Sequence, residues 1–249
     1  MRGFGKTEGE QLPLGGQTAI VAAAAHELKN PLTLITYIAQ TINDKTLDIT
    51  EQERDEQLSR LLLVSQRALR LVQHLTVSYR LETDRQLAFA FPLEPVNIRE
   101  VCETALHELT PYAREYNQTL RLHAPHCSHN AIANRDIAYD IVVNLVDNAI
   151  RHNTPGASVD VTPVCRADLV RLNVHDSGTT IHATELARLR RSLGREPQPL
   201  SAHGGTSGLG LYIATQLAEA MGGGLGLGRP GQGTTFFVNL MRSRQLSLW

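Results

Sequence analysis

From Val21 onward the apolar residues Val21, Ala25, Leu28, Leu32, Ile35, Ala39 and Ile42 step alternately by four and three. That spacing is the seam of a helix packed on other helices. Leu58, Leu62, Ser65, Leu69, Val72 and Tyr79 repeat it, and the polar stretch NDKTLDITEQE between the seams offers Thr50 as an N-cap. Two helices joined by a short connection predict a helical hairpin. Leu61, Ala68, Leu71 and Leu75 widen the second apolar face beyond one seam, so a second copy of the chain is expected to complete a four-helix bundle, as a homodimer.

After Arg85 the pattern changes. QLAFAFPLEPVN, with two prolines and short alternating apolar residues, reads as a linker and a first edge strand. Beyond it, Ile98 to Tyr116 predicts an amphipathic helix, Thr119 to His123 a short strand and Ile137 to Arg151 a second helix. VDVTPV and DLVRLNVH predict paired strands, Gly210 to Met221 a helix stopped by glycines, and LGLGRPGQGTTFFVNL a hairpin turning at Pro230-Gly231. The fold class expected is α+β and multidomain: a helical hairpin forming a dimeric four-helix bundle, then an α/β sandwich with helices on one face of a sheet. The boundaries read as a tail over 1–16, the hairpin over 17–85, a linker over 86–94, the second domain over 95–243 and a tail over 244–249.

Length and composition agree with two domains. The chain has 249 residues, 42 % hydrophobic and 20 % charged, which excludes wholesale disorder. Its 24 basic and 25 acidic residues give a net charge of −1, against a general grip on nucleic acid, which needs a basic surplus. No apolar run approaches the ~20 residues that span a bilayer, and no secretory signal is visible. Three widely spaced cysteines, Cys102, Cys127 and Cys165, are expected to be reduced thiols of a cytoplasmic protein.

Four segments carry candidate chemistry. In HELKNPLT, His26 lies beside the helical seam and should be at least partly exposed, with Glu27 next along the circumference. An exposed imidazole with one free nitrogen can act as a nucleophile, and a neighbouring carboxylate can take its proton or fix its tautomer. Pro31 inside this helix removes an N–H and suggests a functional bend, although a surface histidine beside a chance kink would look the same. In the second segment, Asp140, Asn144 and Asn148 recur every four residues as one polar ridge, flanked by Ile141, Leu145 and Ala149. Asparagine is a poor helix former, an amide oxygen suits Mg²⁺, and Arg151 could approach a phosphate.

The third segment is His175-Asp176-Ser177-Gly178, at the end of a strand. A carboxylate there can accept the exocyclic amino proton of adenine while Gly178 lets backbone approach the base, but an Asx turn alone has the same sequence. The fourth, Gly204-Gly205-Thr206-Ser207-Gly208-Leu209-Gly210, runs straight into a periodic apolar helix. Glycines before a helix N-terminus present N–H groups to phosphate. A dinucleotide-binding loop fits less well, since a third glycine and a preceding strand are missing. The cluster His123-Ala-Pro-His126-Cys127-Ser-His129 follows no established zinc spacing and reads as a polar hairpin loop.

In this order and spacing the four segments resemble the sensor histidine kinases of two-component signalling, from about Gln17 to Leu240. HELKNPLT is similar to the phosphoacceptor box, NLVDNAIRHNTP to the asparagine box, DSG to the first glycine box and GGTSGLGLYIA to the second. The resemblance implies a dimerisation and histidine-phosphotransfer hairpin followed by an ATP-binding domain of the gyrase and Hsp90 type. It implies His26, Glu27, Asn30 and Asp140 as catalytic residues and Asn144 as the Mg²⁺ ligand. Asn148, Arg151, Asp176, Gly178, Gly205, Thr206, Ser207, Gly208, Leu209 and Gly210 would join Asn144 around ATP. The expected activity is autophosphorylation on His26, then transfer to an aspartate of a separate response regulator. Asn30, four residues after the histidine, implies phosphatase activity on that regulator as well.

Two features depart from the family pattern. Thr180 stands where a second glycine is usual, and no aromatic residue lies between Tyr139 and Tyr212, so the lid carrying ELARLRRSLGREP is unusual. They support an alternative, a degenerate, non-catalytic ATP- or regulator-binding protein; a Ser/Thr-directed kinase or plain ATPase is opposed by the complete HELKNPLT segment. Fewer than twenty residues precede the hairpin, so input is expected from a separate sensor protein, a soluble ligand or a part of the protein outside this chain.

Overall fold

A computed structural model describes residues 14–44, 46–47, 49–83, 92–125, 129–178, 181–194, 208–228 and 232–243. Two long helices open the chain, α1 (Leu14–Asn43) and α2 (Glu51–Thr83), and pack against one another. A reciprocal cap starts α2: the Glu53 N–H donates to Thr50 Oγ1 at 3.2 Å, and the Thr50 N–H donates to Glu53 Oε2 at 2.9 Å. Each bond satisfies a donor that the first helical turn would otherwise leave open. Pro31 lies inside α1, as the sequence indicates.

The buried face of this pair differs from the seam read in the sequence. Ile38, Val64 and Ala68 are buried, whereas Val21, Leu32, Leu58, Leu62, Leu69 and Val72 remain exposed. A heptad pattern with apolar residues on adjacent lines does not say which line faces which partner. Here one line closes the pair and another is left uncovered.

The second part contains β1 (Glu94–Asn97), α3 (Ile98–Glu115), β2 (Thr119–Leu122), β3 (Asn130–Ala133) and α4 (Arg135–His152). These are followed by β4 (Ser158–Arg166), β5 (Leu169–Asp176), α5 (Ala183–Ser192), α6 (Leu209–Ala220), β6 (Gly224–Leu227) and β7 (Thr234–Met241). Five strands form one sheet in the order β2-β4-β5-β7-β6, with β2 parallel to β4 and the other pairs antiparallel. β1 and β3 form a separate antiparallel pair.

One face of the large sheet is buried. Val159 and Val161 of β4, Val170, Leu172 and Val174 of β5, and Phe236, Val238 and Leu240 of β7 point inward at every second position, as strand geometry requires. They pack under the apolar faces of α3, α4 and α6, forming an α/β sandwich. On the opposite face the Arg171 guanidinium lies 4.1 Å from the Phe237 ring centroid and donates to Asn239 Oδ1 at 2.8 Å. Polar side chains can therefore cover that face while the helices complete the core.

Ala23, Ala24, Leu63, Leu71 and Leu75 of the first two helices pack against the sandwich core. Cys165 is disulfide-bonded, while Cys102 is free and buried, so the expectation of reduced thiols holds at Cys102 and fails at Cys165. Burial pushes the Cys102 thiol up to about 12, with the charge of Glu103 adding to the effect. Among the described residues no helix is long and apolar enough to cross a membrane.

Candidate nucleotide and phosphotransfer site

The end of β5 carries the first element of the site. Asp176 is the last residue of a strand whose alternation turns it to the buried face, and it is 6 % exposed. Burial pushes its carboxyl up to about 6, while the Gly178 and Thr234 N–H groups and the charge of His175 act in the opposite direction. Beside it the chain is packed backbone to backbone. A Cβ on Gly233 would lie 1.8 Å from the Asp176 carbonyl oxygen, and the φ of +72° there already favours glycine. A Cβ on Gly178 would lie 1.8 Å from Asn153 Oδ1.

Buried Asn153 fixes this corner by donating from Nδ2 to the Ser158 carbonyl at 3.3 Å and accepting the Thr154 N–H at 3.1 Å. Ser177 ties the turn to β4: its N–H donates to the Ser158 carbonyl at 3.0 Å, and its hydroxyl accepts the Ser158 N–H at 2.9 Å. Together these contacts fix the turn that carries Asp176 and Gly178.

The polar ridge on α4 is half-buried at Asp140, Asn144 and Asn148, while Ile141, Leu145 and Ala149 beside it are buried. α4 begins at Asn134, whose side chain accepts the N–H groups of Asp136 and Ile137. The ridge faces the start of α6. A Cβ on Gly210 would lie 3.8 Å from Asn144 Oδ1, so the predicted metal ligand and the predicted glycine helix do meet. Gly208 caps α6 with φ +72°, a conformation that glycine adopts without steric cost, and the buried Leu209 follows. Gly205, Thr206 and Ser207, with Thr180, lie outside the described residues.

The donor set fits a purine nucleotide and its metal. Asp176 offers an acceptor for an exocyclic amine, Gly178 and Gly233 leave space only for backbone, and the positive end of α6 favours an anion. The Asn144 amide oxygen is the hard donor that Mg²⁺ prefers. Among the described residues no group of three or more His, Cys, Asp or Glu side chains forms a metal cluster. Of the histidine-rich stretch weighed for zinc, residues 126–128 lie outside the described residues, His123 pairs with Asp160 at 2.7 Å and His129 is buried.

The lid helix α5 is pinned beside this region. Arg190 donates to the Leu227 carbonyl at 3.4 Å and to the Gly228 carbonyl, at the end of β6. Gln216 of α6 donates to the Gly194 carbonyl at 3.0 Å, just past the end of α5. Arginine and backbone contacts thus fasten a lid that lacks aromatic residues.

His26 and Asn30 are exposed on α1, whereas the Glu27 side chain is only 12 % exposed and reaches α4. Arg151 Nη1 lies 3.3 Å from Glu27 Oε2 and 3.8 Å from Asp147 Oδ2. The sequence reading expects Arg151 near a phosphate; the structure places its guanidinium between these two carboxylates. Asp147, Asn153 and Gly233 were not singled out from the sequence. Their roles come from contacts across long chain separations, and only the glycine in Gly231-Gln232-Gly233 gives a local signal, a turn.

Comparison with known proteins agrees with this geometry. Residues 133–244 match the family described as histidine kinase-, DNA gyrase B-, and HSP90-like ATPase. The adaptive-response sensory kinase SasA of Synechococcus elongatus is 25 % identical over 227 residues, covering 89 % of this chain and 58 % of SasA. The chain therefore spans little more than half the length of that relative. Among solved structures, histidine kinase AdeS of Acinetobacter baumannii shares the fold with a TM-score of 0.59 at 20 % identity, over 88 % of this chain and 98 % of AdeS. Histidine kinase ThkA, in a complex with response regulator protein TrrA, gives 0.57 at 19 % identity, over 90 % of this chain and 61 % of ThkA. Residues 133–244 match a histidine kinase-, DNA gyrase B- and HSP90-like ATPase domain, and the chain as a whole is similar to sensor histidine kinases of two-component systems.

Proposed function

We propose that this chain is a protein histidine kinase that transfers phosphate from ATP to His26 and then to an aspartate of a separate response regulator. The observation that carries the reading is the meeting of Glu27 and Arg151 at 3.3 Å, which joins the HELKNPLT helix to the asparagine helix of the ATPase domain. An ATPase domain serving only hydrolysis has no need of a histidine-bearing helix at that position.

Asp176 would accept the adenine amino proton, with Gly178 and Gly233 holding backbone close to the base. Gly205, Thr206, Ser207, Gly208, Leu209 and Gly210 would line the phosphates at the positive end of α6. Asn144 would hold Mg²⁺, with Asn148 and Asp140 continuing the same ridge. When bound, the metal neutralises phosphate charge and holds the γ-phosphoryl group in line.

A ring nitrogen of His26 attacks the γ-phosphorus, an N–P bond forms, and the bond to the bridging oxygen breaks with ADP as the leaving group. The proton on the other ring nitrogen passes to Glu27 as general base. Positioning and charge neutralisation supply most of the acceleration, because little covalent work falls to the protein.

The exposed apolar line on α1 and α2 supports a homodimer closing a four-helix bundle. Exposure of His26 and Asn30 on one helix supports a receiver domain docking there, with Asn30 orienting water in dephosphorylation of the regulator. The reading places the chain in the cytoplasm, with input from a partner or from protein outside this chain.

Incubation with Mg²⁺ and γ-labelled ATP tests the proposal. Acid-labile, alkali-stable label that is lost in His26→Gln is expected. ATP binding without any label would favour a non-catalytic signalling protein instead.

A further inference from the structure

The C-terminal end of α4 lies in the protein interior, where Ile150 is fully buried and Asn153, the residue that closes the helix, is 9 % exposed. Gln118, 5 % exposed between α3 and β2, donates from Nε2 to the Ile150 carbonyl at 2.8 Å and to the Asn153 carbonyl at 3.5 Å. A helix leaves its final carbonyls without partners of its own, so this side chain serves as their cap. Gln118 Oε1 is buried without a hydrogen-bond partner among the described residues. An unmatched buried acceptor costs stability that an apolar side chain would not, so the residue is explained by what its Nε2 holds.

Asn153 leaves the helix in an extended conformation, φ −90° and ψ 160°, with its side chain against the corner that bears Asp176. The orientation of its amide is fixed. Nδ2 meets the Ser158 carbonyl and Oδ1 meets the Thr154 N–H, so a flipped amide would set like groups against each other. Oδ1 and Cγ fill the space beside Gly178, where a Cβ would lie 1.8 Å from the first and 2.9 Å from the second. Gly178 is not among the glycines with positive φ, so its backbone would accept a side chain. What demands glycine at 178 is the Asn153 amide. Gly178 in turn donates its N–H to the Asp176 carboxylate. A path of direct contacts therefore runs from Gln118 through Asn153 and Gly178 to Asp176, and it starts on the helix that carries Asn144.

We propose that Asn153, braced by Gln118, is a positioning residue for adenine recognition: its amide, wedged beside Gly178, sets where the Asp176 carboxylate stands relative to the asparagine ridge of α4. The inference rests on the reading of Asp176 as the adenine acceptor, and it gives the end of α4 a part in base selectivity. A hydrogen bond weakens steeply with misalignment, so a displaced Asp176 loses affinity for ATP and little for a triphosphate whose base lacks the amine.

Paired calorimetric titrations with ATP and inosine triphosphate, which has a carbonyl in place of the amino group, read selectivity as a ratio of Kd values. In Asn153→Ala the preference for ATP should fall about tenfold through weaker ATP binding, with the number of sites per chain unchanged. The milder Asn153→Ser and Gln118→Leu should shift the ratio in the same direction by less. A merely structural role would lower the melting temperature or the number of binding-competent sites and leave the ratio as in wild type. Size complementation gives a second readout. Gly178→Ala should melt below wild type because its methyl meets the Asn153 amide. Adding Asn153→Ala removes both obstructing atoms and leaves the Thr154 nitrogen, at 3.3 Å, as the nearest contact, so the double variant should melt above Gly178→Ala.

Wild-type selectivity in Asn153→Ala and Asn153→Ser would overturn the inference, as would a double variant no more stable than Gly178→Ala. Equal affinity of wild type for the two triphosphates would refute Asp176 as the adenine acceptor, and the inference with it.

Discussion

Gly233 is pressed against Asp176 so closely that a side chain at 233 would have to occupy the position of the Asp176 carbonyl oxygen. A Cβ there would lie 1.8 Å from that atom, and φ at Gly233 is +72°. The contact joins the start of β7 to the end of β5, where the two strands are neighbours in the sheet. A residue 55 places beyond Gly178 in the chain thus helps to fix the backbone at Asp176.

Gly233→Ala is expected to abolish measurable ATP binding and to destabilise the domain. Relief would require moving backbone at Asp176, a change that no rotamer can supply. Calorimetric titration with ATP and a thermal melt check this; wild-type affinity in the variant would contradict the assignment of adenine binding to Asp176.

Asp176 is expected to make the nucleotide-free domain less stable at neutral pH than it would otherwise be. Its carboxyl binds a proton more tightly in the folded state, at about 6, than at the unfolded value of 3.8. The associated stability is present in full below the unfolded value and is lost as pH rises through about 6, an order of ~3 kcal/mol. Asp176→Asn removes the titration, so its thermal stability should exceed that of wild type by more at about pH 8 than at about pH 5, while ATP binding is lost. An equal difference at both pH values would show that desolvation of this carboxylate is not the cause.

Much of the sandwich is legible in the sequence because its elements are long and strongly periodic. The helix read from Ile137 to Arg151 is observed as α4 over Arg135–His152, and the paired strands VDVTPV and DLVRLNVH are β4 and β5. The four-residue β3 is not legible, since NAIA gives too few alternations to separate a strand from a loop. The direction of the hairpin's apolar lines is not legible either, because Val64 and Ala68 inside the pair resemble Leu62 and Leu69 outside it.

The candidate site divides in the same way. Asp176, Gly178, Asn144 and Gly210 carry local signals of strand end, turn, ridge and helix start. Gly233, Asn153 and Asp147 act through neighbours that only the folded chain brings together. Periodicity places His26 beside the seam with Glu27 next along the circumference, but the partner of Glu27, Arg151, lies far away in sequence and required the fold.

The uncovered apolar line makes a direct prediction of assembly. Leu62 is 60 % exposed and Leu69 59 %, a burden that a second copy would bury. Wild type should sediment as a dimer, and Leu62→Glu with Leu69→Glu as a monomer with unchanged ATP affinity. A monomeric wild type would contradict the four-helix bundle.

Asn30 is expected to separate two activities. Asn30→Ala should retain autophosphorylation and lose dephosphorylation of the phosphorylated regulator, because the proposed function gives the amide a role in orienting water and none in attack on ATP. Parallel assays with one receiver domain measure both; unchanged dephosphorylation would count against the residue's role.

Tandem mass spectrometry of the protein after incubation with Mg²⁺ and ATP, kept at alkaline pH throughout, tests the central claim most directly. The account predicts one phosphoryl group on the peptide containing HELKNPLT, with fragment ions that place it on His26. Phosphate located on a serine, threonine or another histidine, or an unmodified His26 under conditions where ATP is bound, would contradict it.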